Sequence, residues 1–370
     1  MVALLMSDTM LIKSRMRDYT VFFVSNFYNH LKEYAEQGAF FVIDSLIHKT
    51  YGDQINSVVP QDRILIVEAN EYNKTIGKCQ AIIETLVERN FRKNDRLTAV
   101  GGGVIQDITA FTASILYRGV DWSFFPTTLL AQADSCIGGK TSINLGDKKN
   151  LVGNFYPPSD IFIDVDVLTS LTVEDIKSGI GEILHYYIYS ASPLFDELIR
   201  DYELVIKDRN LLEKYIRGSL KIKKSVIEID EFDKGERSKF NYGHTFGHAI
   251  ESVTDYAIKH GQAVTVGMDL ANYVSMKLGF MSADVFHDIH LKLSTNFPEF
   301  NWAKIDFERY FSLLTKDKKN VGNNVGCIFA KEPGILFKEQ LPLDDHFREI
   351  IKAYFSSKRR TENELCDLYE

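Results

Sequence analysis

Short apolar runs alternate with amphipathic stretches through the first half of the chain. Ala39–Asp44 (AFFVID) and Arg63–Val67 (RILIV) are continuous apolar runs of strand length, the pattern of strands buried on both faces. Between Lys74 and Arg92 the apolar residues Ile76, Ile82, Ile83, Leu86 and Val87 recur at helical spacing. Arg96–Val100 is a third strand run; it leads into Gly101-Gly102-Gly103, and a helix is predicted from Ile105. Strand, glycine turn and helix in that order predict an α/β domain with a mostly parallel sheet. From about Thr172 the pattern changes. Helical periodicity covers Ile176–Tyr189, Leu211–Ile229, His244–Thr254 and Ala263–Leu278, and Cys327-Ile328-Phe329 is the only strand-like run there. The pattern therefore predicts an α/β domain over residues 1–172 and a helical domain over residues 173–370. The charged stretch from Ser356 to Glu370 reads as a solvated helix end or frayed terminus.

A length of 370 residues suits two domains, and 45% hydrophobic with 25% charged residues is ordinary for a globular chain. The net charge of −8 argues against a nucleic-acid surface, which is normally basic. No run approaches the ~18 apolar residues of a membrane span. Cys79, Cys136, Cys327 and Cys366 are scattered, with no C-x-x-C pair, so a reducing cytoplasm is the expected compartment.

Candidate chemistry concentrates at three places. Three of the nine histidines, His244, His248 and His260, fall close together, and the first two lie four apart on one helix face. With a carboxylate such as Glu182 they supply the usual ligand set of a zinc-type divalent ion. The glycine triplet at a strand-to-helix junction lets a phosphate approach free backbone N–H groups, although it is not the G-x-G-x-x-G fingerprint and a plain tight turn also explains it. Asp44 ends an early strand, where a carboxylate can bond a ribose hydroxyl; Asp107 follows the glycines, and Pro126-Thr127-Thr128 could add hydroxyls. The third place is basic: Gly138-Gly139-Lys140, Lys148-Lys149-Asn150 and Lys316 to Lys319, with Arg118 upstream. Lysines beside glycines suit an anionic small molecule, while a solvated surface loop is the plainer account of Lys148-Lys149 alone.

Gly101–Asp107, Tyr117-Arg118-Gly119, Pro126–Ser135, Gly138-Gly139-Lys140, Lys149-Asn150 and Gly243–His248, in this order, resemble the motifs of 3-dehydroquinate synthase and related sugar-phosphate cyclases. The resemblance runs from about Asp44 to Lys319. It implies a dehydroquinate synthase-like fold: an α/β N-terminal Rossmann-like nucleotide-binding domain, an all-α C-terminal metal-binding domain, an active site in the cleft between them and a homodimer. It implies Glu182, His244 and His260 as ligands of Zn2+ or Co2+. Asp44, Glu71, Lys74, Gly102, Gly103, Val104, Asp107, Thr127 and Thr128 take the NAD positions. Asp134, Lys140, Lys149 and Asn150 take substrate positions, and His248 and Asn241 lie beside the metal and the phosphate. Lys223 and Arg237 hold a substrate carboxylate, Arg118 reaches the neighbouring subunit's phosphate site, and Lys318 or Lys319 adds a late phosphate contact. The implied reaction on one sugar phosphate is alcohol oxidation by NAD, phosphate elimination, reduction back, and intramolecular aldol closure to a carbocycle.

Three positions depart from the family pattern. His185 stands where a lysine is usual, three residues after Glu182, and could contact substrate or become an additional metal ligand. His260-Gly261-Gln262 replaces His-Gly-Glu, and Asp233 replaces a glutamate. Such changes fit a cyclase acting on sedoheptulose 7-phosphate, glucose 6-phosphate or an amino analogue. Against that, Lys223 and Arg237 would stand as costly unpaired cations unless the substrate carries a carboxylate. A metal-dependent polyol dehydrogenase is a further alternative; the lysine cluster weighs against it. A non-catalytic binding protein is the least favoured.

Overall fold

The computed structural model describes residues 8–146, 148–315, 320, 322 and 324–357. The chain divides into two compact units, Met1–Thr172 with Arg209–Phe232, and Val173–Asp208 with Asp233–Glu370.

The first unit is built on strands β1 (Thr9–Ile12), β2 (Tyr19–Phe23), β3 (Phe40–Asp44), β4 (Ile64–Val67), β5 (Leu97–Gly101) and β6 (Trp122–Pro126). A short hairpin, β7 (Ile143–Leu145) and β8 (Lys148–Val152), precedes β9 (Asp160–Ile163). Helices α1 (Phe27–Glu36), α2 (Ser45–Val58), α3 (Ile76–Glu88) and α4 (Gly103–Ile115) alternate with the strands. The seven-stranded sheet runs β1-β2-β9-β6-β5-β3-β4, parallel except for the β1–β2 pair. Phe41 and Ile43 of β3 share one core with Phe27 and Leu31 of α1, Ile47 and Ile55 of α2, and Phe125 and Phe162 of neighbouring strands. The chain leaves β3 toward β4 on one side and returns through α3 to β5 on the other, so the strand order reverses between β3 and β5. In an open α/β sheet, ligands bind outside the carboxyl ends of the strands at such a reversal. Asp44 and Gly101 are the residues at those two ends.

The second unit contains α5 (Val173–Tyr189), α6 (Leu194–Arg200) and α7 (Tyr202–Val205). The next helix, α8 (Arg209–Ile227), groups with the first unit. Its buried face includes Leu212, Ile216, Ser219 and Leu220, and the Ser219 hydroxyl donates to the Ala133 carbonyl. A single division at residue 172 thus does not describe the packing, because amphipathic spacing reveals which face of α8 is buried but not what covers it. The second unit resumes with α9 (His244–Val253), α10 (His260–Lys277), α11 (Ala283–Ser294) and α12 (Phe307–Thr315). After strands β10 (Asn324–Glu332) and β11 (Ile335–Pro342), α13 (Asp345–Ser357) closes the described chain. The expected all-α domain is therefore mostly helical with one antiparallel hairpin, whose first strand buries Val325, Cys327 and Phe329. Among the described residues no helix is long and apolar enough to cross a membrane.

Glycines let α5 and α9 approach α10. A Cβ at Gly181 would lie 2.0 Å from the Gly261 carbonyl oxygen, and one at Gly261 would lie 1.7 Å from that of Ser178. On the other side, a Cβ at Gly267 would meet the Gly243 carbonyl oxygen at 2.2 Å. The Gly261 N–H donates to the Ser178 hydroxyl at 3.0 Å, so one open N–H of the α10 terminus finds its partner on α5. Gly261→Ala is expected to force the two helices apart and to destabilise by at least ~1–3 kcal/mol, read as a lower urea midpoint. Gly77→Ala, at an exposed position of α3 with nothing nearer than 3.9 Å, should leave the midpoint unchanged or slightly raised. Equal effects of the two changes would refute close packing at Gly261.

Candidate functional site

Glu182 lies mid-way along α5, 2% exposed, while His244 and His260 open α9 and α10. Each is the chain neighbour of a glycine that makes a helix contact: Gly181, Gly243 and Gly261. Glu182 Oε1 lies 3.2 Å from His260 Nε2 and 3.5 Å from His244 Nε2, yet this buried oxygen makes no hydrogen bond among the described residues. Ligand arms of about 2.0–2.2 Å at tetrahedral angles leave ligand atoms about 3.3–3.5 Å apart. The three atoms thus converge on a common point, as a divalent cation requires. The outer ring nitrogens are also oriented: His260 Nδ1 is 2.9 Å from Glu251 Oε2, and His244 Nδ1 is 3.2 Å from the Tyr242 carbonyl oxygen. Such outer contacts fix the tautomer that presents Nε2 to a metal. Burial alone would raise the Glu182 carboxyl, but the imidazoles of His244 and His260 hold it well below the usual carboxylate range. Burial would likewise lower His260, but Glu251 and Glu182 hold it well above the usual imidazole range. His248, exposed and one turn after His244, has its ring centre 5.5 Å from that of His244 and 5.6 Å from that of His260. In the same unit, buried Arg237 and Asn241 lie on the 3-10 turn Glu236–Asn241, and Asn241 Nδ2 donates to the Ser238 carbonyl at 2.9 Å.

In the first unit, Gly102 precedes α4 with no capping side chain, which leaves the N–H groups of the Gly103-Val104 turn open to an anion. A Cβ at Gly102 would lie 2.9 Å from Thr128 Cγ2, so only glycine fits there. Thr128 Oγ1 accepts from Ala131 N at 3.2 Å, and the buried Thr127 hydroxyl has no hydrogen-bond partner among the described residues. Asp44 caps α2 by accepting from Leu46 N at 3.0 Å, and burial pushes its carboxyl above the usual range. Lys74 Nζ bridges Asp107 Oδ2 at 2.6 Å and Asn150 Oδ1 at 2.7 Å. Burial pushes the Asp107 carboxyl up to about 6 despite that ammonium. Asn144 Nδ2 donates to Glu71 Oε2 at 2.8 Å. Glu71, Lys74, Asp107 and Asn150, assigned from resemblance to two different ligands, thus form one network.

Asp134 lies on the π-helical turn Ala131–Ser135, and its carboxylate oxygen Oδ1 and carbonyl oxygen accept from Lys223 Nζ at 2.8 and 2.7 Å. Lys223 therefore brings its own counter-ion. Of the cationic pair expected to stand unpaired, Lys223 is paired, with an Asp134 that lies 89 residues away, a meeting with no local sequence signal. Lys223 belongs to the first unit and Arg237 to the second. Lys140 and Lys149 are exposed. Arg118 is exposed too, and with Tyr117 it adopts left-handed backbone, φ +62° and +49°. Lys318 and Lys319 lie outside the described residues.

Residues 64–178 match the family model described as 3-dehydroquinate synthase N-terminal, and residues 179–320 match the one described as 3-dehydroquinate synthase C-terminal. The 3-dehydroquinate synthase of Alkaliphilus metalliredigens is 36% identical over 298 residues, covering 79% of this chain and 83% of that protein. That of Dictyoglomus thermophilum is 37% identical over 328 residues, covering 87% and 90%. The chain belongs to the 3-dehydroquinate synthase family.

Solved structures share its fold. The crystal structure of 2-deoxy-scyllo-inosose synthase complexed with carbaglucose-6-phosphate, NAD+ and Co2+ superposes with a TM-score of 0.84 at 24% identity, covering 93% of this chain and 99% of that one. ValA (2-epi-5-epi-valiolone synthase) from Streptomyces hygroscopicus, with NAD+ and Zn2+ bound, gives 0.80 at 20% identity, covering 94% and 99%. Glycerol dehydrogenase from Schizosaccharomyces pombe is more distant, 0.60 at 14%, covering 92% and 90%.

Within this synthase family the departures now have surroundings. His185 is 1% exposed, and its ring lies 5.4 Å from that of His244, 5.1 Å from Tyr186 and 5.9 Å from Phe240, centre to centre. The groups of side chains able to converge on one ion, among the described residues, are Glu182/His244/His260 and His248/Glu251/His260. His185 belongs to neither; its ring packs edge-on against that of His244. Gln262 is buried, its amide 3.4 Å from the Asn296 carbonyl oxygen. Two residues escaped the reading from sequence. Glu251 follows His244 and His248 on one helix face, a spacing that would have revealed it. Asn144, in a short hairpin, carried no periodic signal.

Two outcomes are expected. Glu251 and Glu182 favour the protonated form of His260 when no cation is bound, so Zn2+ binding should release a proton and affinity should rise with pH. Calorimetry in two buffers of different ionisation enthalpy reads this directly, and identical heats would show that no proton is lost. Glu251→Ala should weaken Zn2+ affinity roughly 10–100-fold with little change in unfolding midpoint of the metal-free protein.

Proposed function

We propose that the chain is a cytoplasmic, homodimeric sugar-phosphate cyclase of the phosphate-eliminating lyase type, using NAD and a divalent metal. Its substrate is a 3-deoxy-heptulosonate 7-phosphate-type sugar acid. The observation that carries this reading is the convergence of Glu182, His244 and His260 on one point in a chain of this family. Among the described residues Cys79, Cys136 and Cys327 are buried and form no disulfide, which supports a reducing compartment. The homodimer rests on the family resemblance, in which Arg118 serves the neighbouring subunit.

When bound, the metal supplies Lewis acidity toward the substrate hydroxyls, and NAD supplies the hydride exchange that no side chain performs. The chain's own residues bind and orient. Glu182, His244 and His260 offer one anionic and two neutral donors to the cation. The uncapped start of α4 and the Thr127 hydroxyl receive the dinucleotide phosphates, Asp44 a ribose hydroxyl, and Lys74 is held in place by Asp107 and Asn150. Lys140, Lys149 and Asn150 neutralise and position the sugar phosphate, together with a lysine at position 318 or 319. Lys223, fixed by Asp134, presents hydrogen-bond donors at a set place, while buried Arg237 is the carboxylate partner.

A second reading keeps the same chemistry with another sugar phosphate. It is favoured by the Lys223–Asp134 pair, which leaves Lys223 without need of a substrate carboxylate, and by His185 in place of the family lysine.

Purified protein with NAD, Zn2+ and 3-deoxy-arabino-heptulosonate 7-phosphate should release phosphate and form dehydroquinate, and His244→Ala should abolish both metal retention and release. Turnover by metal-free His244→Ala protein would refute the mechanism. Failure of the metal- and NAD-loaded protein on this substrate, with turnover of sedoheptulose 7-phosphate or glucose 6-phosphate, would establish the second reading.

A further inference from the structure

We infer that Asn144 is a positioning residue that couples the dinucleotide loop, Glu71 to Lys74, to the strand that carries Lys149 and Asn150. This rests on the assignment of Glu71 and Lys74 to the dinucleotide and of the β8 residues to substrate. Asn144 is 7% exposed. Its amide nitrogen donates to the Glu71 carbonyl at 3.0 Å and to Glu71 Oε2 at 2.8 Å, while its Oδ1 accepts from the Asn150 N–H at 2.9 Å. Its backbone N–H donates to the Lys74 carbonyl at 2.8 Å. Both ends of one rigid, planar amide are therefore engaged, one on each segment.

The hairpin explains why a side chain is needed. β7 and β8 pair at Ile143–Val152 and at Leu145–Lys148, with a break in register between them. Asn150 falls in that break and adopts left-handed backbone, φ +55°. Its N–H cannot continue the ladder, and the Asn144 amide oxygen takes the place of the missing backbone acceptor. Asn150 then returns its own Oδ1 to Lys74 Nζ, which also binds Asp107. The circuit Glu71–Asn144–Asn150–Lys74 is closed, so a ligand that fixes Glu71 and Lys74 also fixes the conformation of exposed β8. The expected order of events is cofactor first, with the substrate strand set by its arrival.

The test is hydrogen exchange with and without NADH. In the wild-type protein, NADH should slow exchange of the amides of residues 148–152 as well as those of the Gly101–Asp107 turn. Asn144→Ala should weaken NADH binding about tenfold, the loss expected for bonds to a charged acceptor. At saturating NADH this variant should keep protection at Gly101–Asp107 and lose it at 148–152. Asn144→Asp retains the acceptor for the Asn150 N–H but turns a carboxylate toward Glu71. With the Glu71 end of the link cut, it should bind NADH weakly and lose the NADH-induced protection of 148–152 as well, and it serves alone if the alanine variant does not fold. Wild-type-like protection of 148–152 at saturating NADH in either variant would overturn the coupling. A wild-type protein that binds no NADH would bring down the dinucleotide assignment itself, and the coupling with it.

Discussion

The close approach of α5 and α9 to α10 is the constraint on which the metal-binding half depends. Helix axes pack 8–10 Å apart when side chains intervene. Glycines at positions 181, 243, 261 and 267 put backbone against backbone instead. Glu182, His244 and His260 are each the next residue along. The distances from Glu182 to His244 and His260 are thus set by the absence of side chains beside these residues as much as by the residues themselves. A stiff contact between carbonyl oxygens and Cα atoms does not relax as a rotamer does.

The first unit solves a different problem, how to hold an anion and a cluster of charges without burying any of them alone. A parallel sheet whose strand order reverses brings Asp44 and Gly101 to neighbouring strand ends, and the uncapped α4 start supplies N–H groups there. Ammonium groups are then paired inside the unit: Lys74 with Asp107, Lys223 with Asp134. Each pair sacrifices some attraction for ligand in exchange for a fixed position, since a lone cation of that burial would be costly.

What the sequence made legible follows from how local each feature is. The strands Phe40–Asp44 and Leu97–Gly101 and the helices around Glu182 and His244 announce themselves through periodicity within a single window. The Gly101–Gly103 turn is local as well. The ligand set was visible as residue types, but Glu182 stands far from His244 along the chain, and only family resemblance selected it from the other carboxylates. Contacts that join distant segments left no trace. Examples are Lys223 with Asp134, α8 with the first unit, and Asn144 with Glu71. The β10–β11 hairpin was half legible, since Cys327–Phe329 reads as a strand, whereas its partner β11 is largely exposed and has no apolar run.

His244 and His260 are the first residues of α9 and α10, so two helices turn their N-terminal ends toward the point where the three ligand atoms meet. Each such end carries a partial positive charge of roughly half a proton. One carboxylate and two neutral imidazoles leave a dication with net charge near +1, and the helix ends add to it. The helix ends would therefore favour an oxyanion beside a bound cation, while the Glu251 carboxylate behind His260 offsets their repulsion of the cation itself. A centre of this kind would hold metal and substrate interdependently, since an arriving anion would add to the negative charge of Glu182 and Glu251.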